Sequence, residues 1–214
     1  MSSDPPALPV TPEEWEAKFA QEADGLLFGR EPSELLRLAL PFWTQAHGER
    51  RGRALELGCG EGRDAVLLEQ AGFQVTAIDA APTALARARR AAGTASSICF
   101  RRADIRTVPL GRGWQLITAH NSLQFLGSQA PARLRNVQRA TAAGGFNCVS
   151  VFTRESEQLA HVSGLWRLDH NELRFLYQGW RLLFYSEDLL WRENLGCHLS
   201  FARIIAQKPG ALHE

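Results

Sequence analysis

The stretch Ala54-Leu55-Glu56-Leu57-Gly58-Cys59-Gly60-Glu61-Gly62-Arg63 constrains this chain more than any other. A short apolar run reads as a buried strand, and it empties into a turn with glycine at every second position. Residues 62–71 then read as a helix closed by Gly72. A strand that passes through such a turn into a helix opens an α/β unit. Ligands of open α/β sheets sit at this end of the strands, where glycine lets the backbone come close. A dinucleotide fingerprint, Gly-x-Gly-x-x-Gly, would need its third glycine where this chain has Arg63, so the spacing here is a different one.

The remainder continues the alternation. Residues 73–79 read as a strand, 82–92 as a helix ended by Gly93, 98–100 and 114–120 as strands, 131–142 as a helix closed by Gly144-Gly145, and 146–152 as a strand. After Phe152 the rhythm changes. A capping box, Asp169-x-x-Glu172, opens a helix to about Tyr177, and strands over 180–185 and 199–206 follow with no helix between them. Two such strands pair antiparallel. The pattern predicts a doubly wound, mostly parallel, seven-stranded α/β sheet of Rossmann-like form with an antiparallel last strand. Ahead of the glycine turn, Thr11-Pro12-Glu13-Glu14 carries a capping box and a first-turn proline. After Pro32-Ser33, residues Leu35, Leu36, Ala39, Leu40 and Trp43 share one helical face. The expected organisation is one domain over 11–214, with 11–47 as N-terminal lid helices and the Pro-rich residues 1–10 as a flexible arm.

Composition removes several functions. The 214 residues carry 24 basic and 23 acidic side chains, a net charge of +1, so no basic footprint argues for nucleic acid. No apolar run approaches the ~18 residues of a membrane span, and the first residues lack the basic and apolar regions of a secretory signal. Cys59, Cys99, Cys148 and Cys197 show no Cys-x-x-Cys spacing, which argues against both a metal site and a disulfide framework. The expectation is a soluble, reduced, cytoplasmic protein without metal, whose oligomeric state the sequence leaves open.

Polar residues recur at the predicted strand ends. Glu56 precedes the turn. Asp79 ends the second strand, where a carboxylate either accepts both hydroxyls of a ribose or caps the helix opening at Pro82. Asp104-Ile105 follows the third strand, as ligand contact or as solvated turn. His120 ends the fourth strand, where neutral imidazole accepts a proton or the ring simply packs. Asn121 after it is a substrate contact or a turn residue.

The Gly-x-Gly-x-Gly turn behind Glu56 resembles the S-adenosylmethionine (SAM) loop of class I methyltransferases. That resemblance implies SAM as cofactor and S-adenosylhomocysteine as product, held by Glu56, Gly58, Cys59, Gly60, Gly62, Arg63, Asp79, Ala80, Asp104, Ile105 and His120. Glu56 would face the cationic side of the methionine moiety, Arg63 its carboxylate, Asp79 the ribose, and Asp104-Ile105 the adenine.

Residues 54–207 are also similar to the tellurite-resistance (TehB-type) methyltransferases. The likeness lies in Leu57 to Arg63, Phe125-Leu126, Asn136 to Asn147, Glu172-Leu173-Arg174, Tyr177-Gln178-Gly179-Trp180, Glu187-Asp188 and Phe201-Ala202. It implies methyl transfer to a small-molecule acceptor, tellurite or selenite being the oxyanions of that family. Near the last two strands the family carries a His-Arg pair and a later arginine. Here Arg192 alone fits the pair and Ser200 stands at the later position. Arg154, after the fifth strand, and Arg192 with His198 at the far edge join His120 as substrate-side candidates, with a solvated surface role as the alternative for either arginine; Trp166 and Trp191 are candidate pocket walls or core residues. The segment Glu14 to Phe19 resembles the aromatic-rich lid helix of the thiopurine methyltransferases, which makes Trp15 and Phe19 candidate cofactor lids. The alternative is an amphipathic helix packed on the body. A thiol or thiopurine S-methyltransferase with an aromatic pocket, and a SAM-binding module without acceptor chemistry, remain as further readings.

Overall fold

The structure, a computed structural model, describes residues 8–22, 26–192 and 196–210, with Arg192 described by its backbone alone. Most of the expected arm lies outside the described residues. Helix α1 (Pro12–Gln21) and α2 (Glu34–His47) precede β1 (Arg53–Leu57), α3 (Arg63–Gln70), β2 (Gln74–Asp79), α4 (Pro82–Ala92), β3 (Cys99–Arg102) and β4 (Trp114–His120). Then come α5 (Ala130–Ala140), β5 (Thr141–Phe152), α6 (Glu172–Leu176), β6 (Arg181–Arg192) and β7 (Cys197–Gln207).

All seven strands form one sheet in the order β3-β2-β1-β4-β5-β7-β6. Strands β1 to β5 run parallel, while β7 is antiparallel to both β5 and β6. The interior of this sheet is apolar on both faces, as a doubly covered sheet requires. On one face α2, α3 and α4 bring Leu36, Trp43, Leu68 and Leu85 against Ala54, Ala77 and Leu116. On the other, α5 and the segments around α6 pack Leu134, Val137, Leu173 and Tyr177 on Leu55, Ile117 and Val149. Each fully buried leucine contributes roughly 1.5–3 kcal/mol. The order of strands reverses between β1 and β4, and that switch point is where a ligand of such a sheet lodges.

The N-terminal helices start where their capping residues stand. The Thr11 side chain accepts from the Glu14 N–H at 3.2 Å and the Glu14 carboxylate accepts from the Thr11 N–H at 2.9 Å, closing the expected capping box. Ser33 caps α2 through the Leu36 N–H.

Three elements differ from the sequence expectation. Helix α5 stops at Ala140, because Thr141 turns extended and ties its hydroxyl to the Val137 carbonyl at 2.8 Å, so β5 begins five residues early and carries a register shift opposite Trp114 and Leu116. Asp169 does not cap α6. Its own N–H donates to Glu172, while Asn171 occupies the cap position with φ 62°. Strand β6 continues through the polar Glu187-Asp188 to Arg192, paired residue by residue with β7.

Candidate functional site

The glycine turn is pinned from both sides. Gly58 and Cys59 donate N–H bonds to the Ile78 carbonyl at 2.8 and 3.0 Å, and the Gly60 N–H donates to Asp79 Oδ2 at 2.7 Å. Gly58 has φ +73°, and a Cβ there would stand 2.5 Å from that of Ser122, so the turn and the chain after β4 touch backbone to side chain. Gly62 answers a different demand. At φ +82° its missing Cβ would lie 2.8 Å from Ala88 Cβ, so this glycine lets α3 start against α4 and does not line the cavity.

A cleft of about 930 Å³, mouth included, opens over the C-terminal ends of β1, β2 and β4. Its floor is Glu56, Gly58, Cys59, Gly60, Asp79 and Ala80; Asp104, Ile105 and Arg106 flank it, and Arg63, Asp64, His120, Asn121 and Ser122 complete the wall. Trp15 and Phe19 of α1, with Phe28 and Phe125, roof it in a cluster of rings 5.1 to 6.2 Å apart. Helix α1 is docked by Glu16, whose carboxylate accepts from the Thr83 N–H and hydroxyl at 3.0 and 2.5 Å.

The acidic groups stand in unlike surroundings. Glu56 is buried, and its Oε2 has no hydrogen-bond partner among the described residues. Burial above all, and next the charge of Asp64, push its carboxyl well above the usual carboxylate range. A cationic group in the cleft would reverse that pressure. Asp79 is raised by burial, against the N–H donors of Ala81, Gly60 and Ala80; it both fastens the turn and presents acceptor oxygens to the cleft. Ala81, not Asp79, takes the cap position of α4, and it makes no side-chain cap bond. Asp104 closes a turn on the Arg106 N–H at 2.8 Å and meets the Arg106 guanidinium at 3.2 Å. Burial pushes the Cys59 thiol up, so this cysteine is a neutral packed residue.

The cations are already engaged. Arg63 donates to the Phe28 carbonyl at 2.7 Å and lies over its ring. Arg106 is held by Asp104, at longer range by the carbonyls of Val10 and Phe125. Arg154 does not reach the cleft; it pairs with Asp169 at 2.9 Å and is 62% exposed, because the turn after β5 points it to solvent. The backbone of Arg192 ends β6 and its side chain lies outside the described residues. Nor do the proposed aromatic walls form: Trp166 packs against the sheet core, and Trp191 lies exposed on His198 at 5.1 Å. Asn121 adopts φ 51° and exchanges bonds with Ser150, so it shapes the turn after β4.

His120 does line the cleft. Sequence reading missed its partner, Asp64, whose Oδ2 lies 2.7 Å from His120 Nδ1. Asp64 follows directly on the glycine turn, which is the one local signal that could have marked it.

Sheet order, the glycine turn at the switch point and the acidic residues at three strand ends define a class I methyltransferase fold. Within that class the chain belongs to the family described as tellurite resistance protein TehB, whose family model matches residues 46–194. A protein of Eikenella corrodens named hemagglutinin 1 is 28% identical over 165 residues, 74% of this chain and 55% of that one. A probable S-adenosyl-L-methionine-dependent methyltransferase TehB of Haemophilus influenzae is 24% identical over 139 residues, 64% of this chain and 49% of its own length. The chain thus spans about half the length of these relatives. The crystal structure of TehB from Haemophilus influenzae superposes with a TM-score of 0.68 at 21% identity, covering 79% of this chain and 61% of that one. The N-methyltransferase NodS from Bradyrhizobium japonicum WM9, in complex with S-adenosyl-L-homocysteine, superposes with a TM-score of 0.67 at 16% identity, covering 91% and 98%. No helix among the described residues is long and apolar enough to cross a membrane.

Proposed function

We propose that this protein transfers a methyl group from SAM to a small-molecule nucleophile. The observation that carries the reading is Glu56: a buried carboxyl with an unpartnered oxygen, beside a glycine turn, at the floor of the cleft. SAM offers that oxygen an ammonium group, whereas a dinucleotide would bring pyrophosphate charge to the turn. The residues fit the cofactor in other ways. Asp79 accepts hydrogen bonds at the ribose position, Ala80 adjoins it, Asp104 and Ile105 flank the adenine side, and Gly58, Cys59 and Gly60 give the close backbone. Gly62 supports the turn from behind, and Trp15 and Phe19 close the roof. When bound, SAM supplies an electrophilic methyl on a sulfonium. The chain's part is to hold donor and acceptor together away from water, an arrangement worth roughly 7–11 kcal/mol in well-oriented cases.

Two acceptor classes follow. The family name supports a tellurite-like oxyanion, for which selenite is a chemical analogue. The aromatic roof and the prior engagement of Arg63 and Arg106 favour a thiol or thiopurine. A net charge of +1 supports a small acceptor over nucleic acid. Calorimetry with SAM and NADH tests the cofactor, and tighter NADH binding refutes the reading. Release of S-adenosylhomocysteine with tellurite, selenite, a thiopurine and an aromatic thiol then separates the acceptor classes. Silence with every acceptor, SAM binding intact, favours a binding module.

A further inference from the structure

The Asp64–His120 pair does more than fill the wall of the cleft. Asp64 stands in the first turn of α3 and is buried. Its Oδ1 accepts the Ser33 N–H at 2.6 Å, and its Oδ2 lies 2.7 Å from His120 Nδ1. The Ser33 hydroxyl is also 2.7 Å from that nitrogen, and Thr118 Oγ1 is 3.3 Å away. Three oxygens therefore crowd one edge of the ring. The other ring nitrogen, Nε2, is buried without a partner among the described residues.

The protonation pattern follows from the donors. Burial works to raise the carboxyl of Asp64, but its bond to His120 and that residue's charge, with the Ser33 N–H and Arg63, hold it at about 2. An ionised carboxylate only accepts, so the hydrogen between the two groups sits on Nδ1. A neutral ring then carries its lone pair on Nε2. The charged or titratable groups around the pair are Asp64 and Arg63 from α3, Glu56 from β1 and the neutral Cys148 thiol from β5.

We propose that Asp64, with Ser33, is a positioning residue that fixes His120 with Nδ1–H toward α3 and leaves Nε2 as proton acceptor for a protic nucleophile, specifically a thiol. This rests on the methyl-transfer reading above. The acceptor's lone pair forms the S–CH₃ bond while the methyl leaves the sulfonium, whose bonding electrons stay on sulfur as a neutral thioether. The thiol proton passes to His120 Nε2, and the imidazolium so formed is held beside the Asp64 carboxylate until the proton is lost to solvent. An already ionised oxyanion has no need of this device.

The test uses the full chain with SAM. ¹⁵N NMR of the histidine rings reads the tautomer directly and needs no variant. Hydrogen on Nδ1 of the uncharged ring is expected, and hydrogen on Nε2 overturns the proposal. Turnover is then compared for thiophenol, mostly ionised near neutral pH, and benzyl mercaptan, mostly not. Asp64→Asn is expected to lower kcat with benzyl mercaptan by roughly 10²–10⁴-fold, in line with loss of general-base catalysis, and with thiophenol by less than about tenfold. Equal losses with both thiols indicate a structural role and overturn the proposal. So does a loss of SAM affinity with kcat intact, which makes the pair a cofactor clamp. No methylation of either thiol, with SAM bound normally, removes the thiol proposal and keeps the methyltransferase reading. Failure to bind SAM removes the reading itself.

Discussion

Gly58→Ala is expected to be far more damaging than Gly60→Ala, two residues away in the same turn. Both positions have positive φ, +73° and +51°, and a left-handed alanine costs roughly 1–2 kcal/mol at each. Space separates them. At Gly60 the nearest atom to an added Cβ is Phe19 Cζ at 3.7 Å, an ordinary contact, whereas at Gly58 it is Ser122 Cβ at 2.5 Å. Ser122 cannot swing away, because the near atom is its own Cβ and its hydroxyl donates to the Leu57 carbonyl at 2.7 Å. The turn cannot shift either, being tied to Ile78 by the Gly58 N–H. Relieving such an overlap costs about 1–3 kcal/mol more. Gly58→Ala should therefore lose about 2–5 kcal/mol and Gly60→Ala about 1–2 kcal/mol. Urea titration followed by tryptophan fluorescence reads both, provided the slope is unchanged. Ser122→Gly combined with Gly58→Ala should recover the steric part, as a coupling of about 1–3 kcal/mol in a double-mutant cycle. Equal losses at the two glycines, or no coupling to Ser122, refute the reasoning.

Two other expectations concern charge. Arg87→Met should lose about 3 kcal/mol in the same titration, because it strands buried Glu61, whose carboxylate it meets at 2.9 Å; replacing both partners by apolar residues should cost less. Asp64 has a folded pKa of about 2 against an ordinary 3.8, so its contribution of about 2 kcal/mol is present above pH 3.8 and is lost as pH falls through 2. Stability measured across that window should fall in the native chain and lose this component in Asp64→Asn; an unchanged slope contradicts the ion pair.

The sequence exposed those parts of the molecule that are written locally. A glycine turn, its strand and its helix are contiguous, so the floor of the cleft could be read directly, and Asp79 and Asp104 announced themselves by standing at strand ends. The Asp64–His120–Ser33 cluster could not be read this way. Its members are separated by 56 and 31 positions and meet only because α2, α3 and β4 converge at the switch point. Arg154 failed as a cleft residue for a related reason: the strand end was correctly located, but the direction of the chain after it is set by backbone bonds to Leu168, fourteen positions on. The second half of β6 was hidden because an edge strand has one side in water. Leu189 and Trp191 are 62% and 57% exposed, so the run shows none of the buried periodicity that reveals an inner strand.

The place of β7 between β5 and β6 sets an order of assembly. Strand β6 is made first but has no bond to β5; the seven pairs from Phe146–Gln207 to Phe152–Phe201 all belong to the strand made after it. During synthesis β5 therefore emerges as a bare hydrogen-bonding edge and stays so until Gln207 has left the ribosome. Such an edge invites pairing with other chains. The parallel half of the sheet, with its glycine turn and cleft floor, can be complete while the nascent chain is still at its most vulnerable. Closure then comes as one late antiparallel hairpin that docks on β5 through β7 and leaves β6 as the new edge.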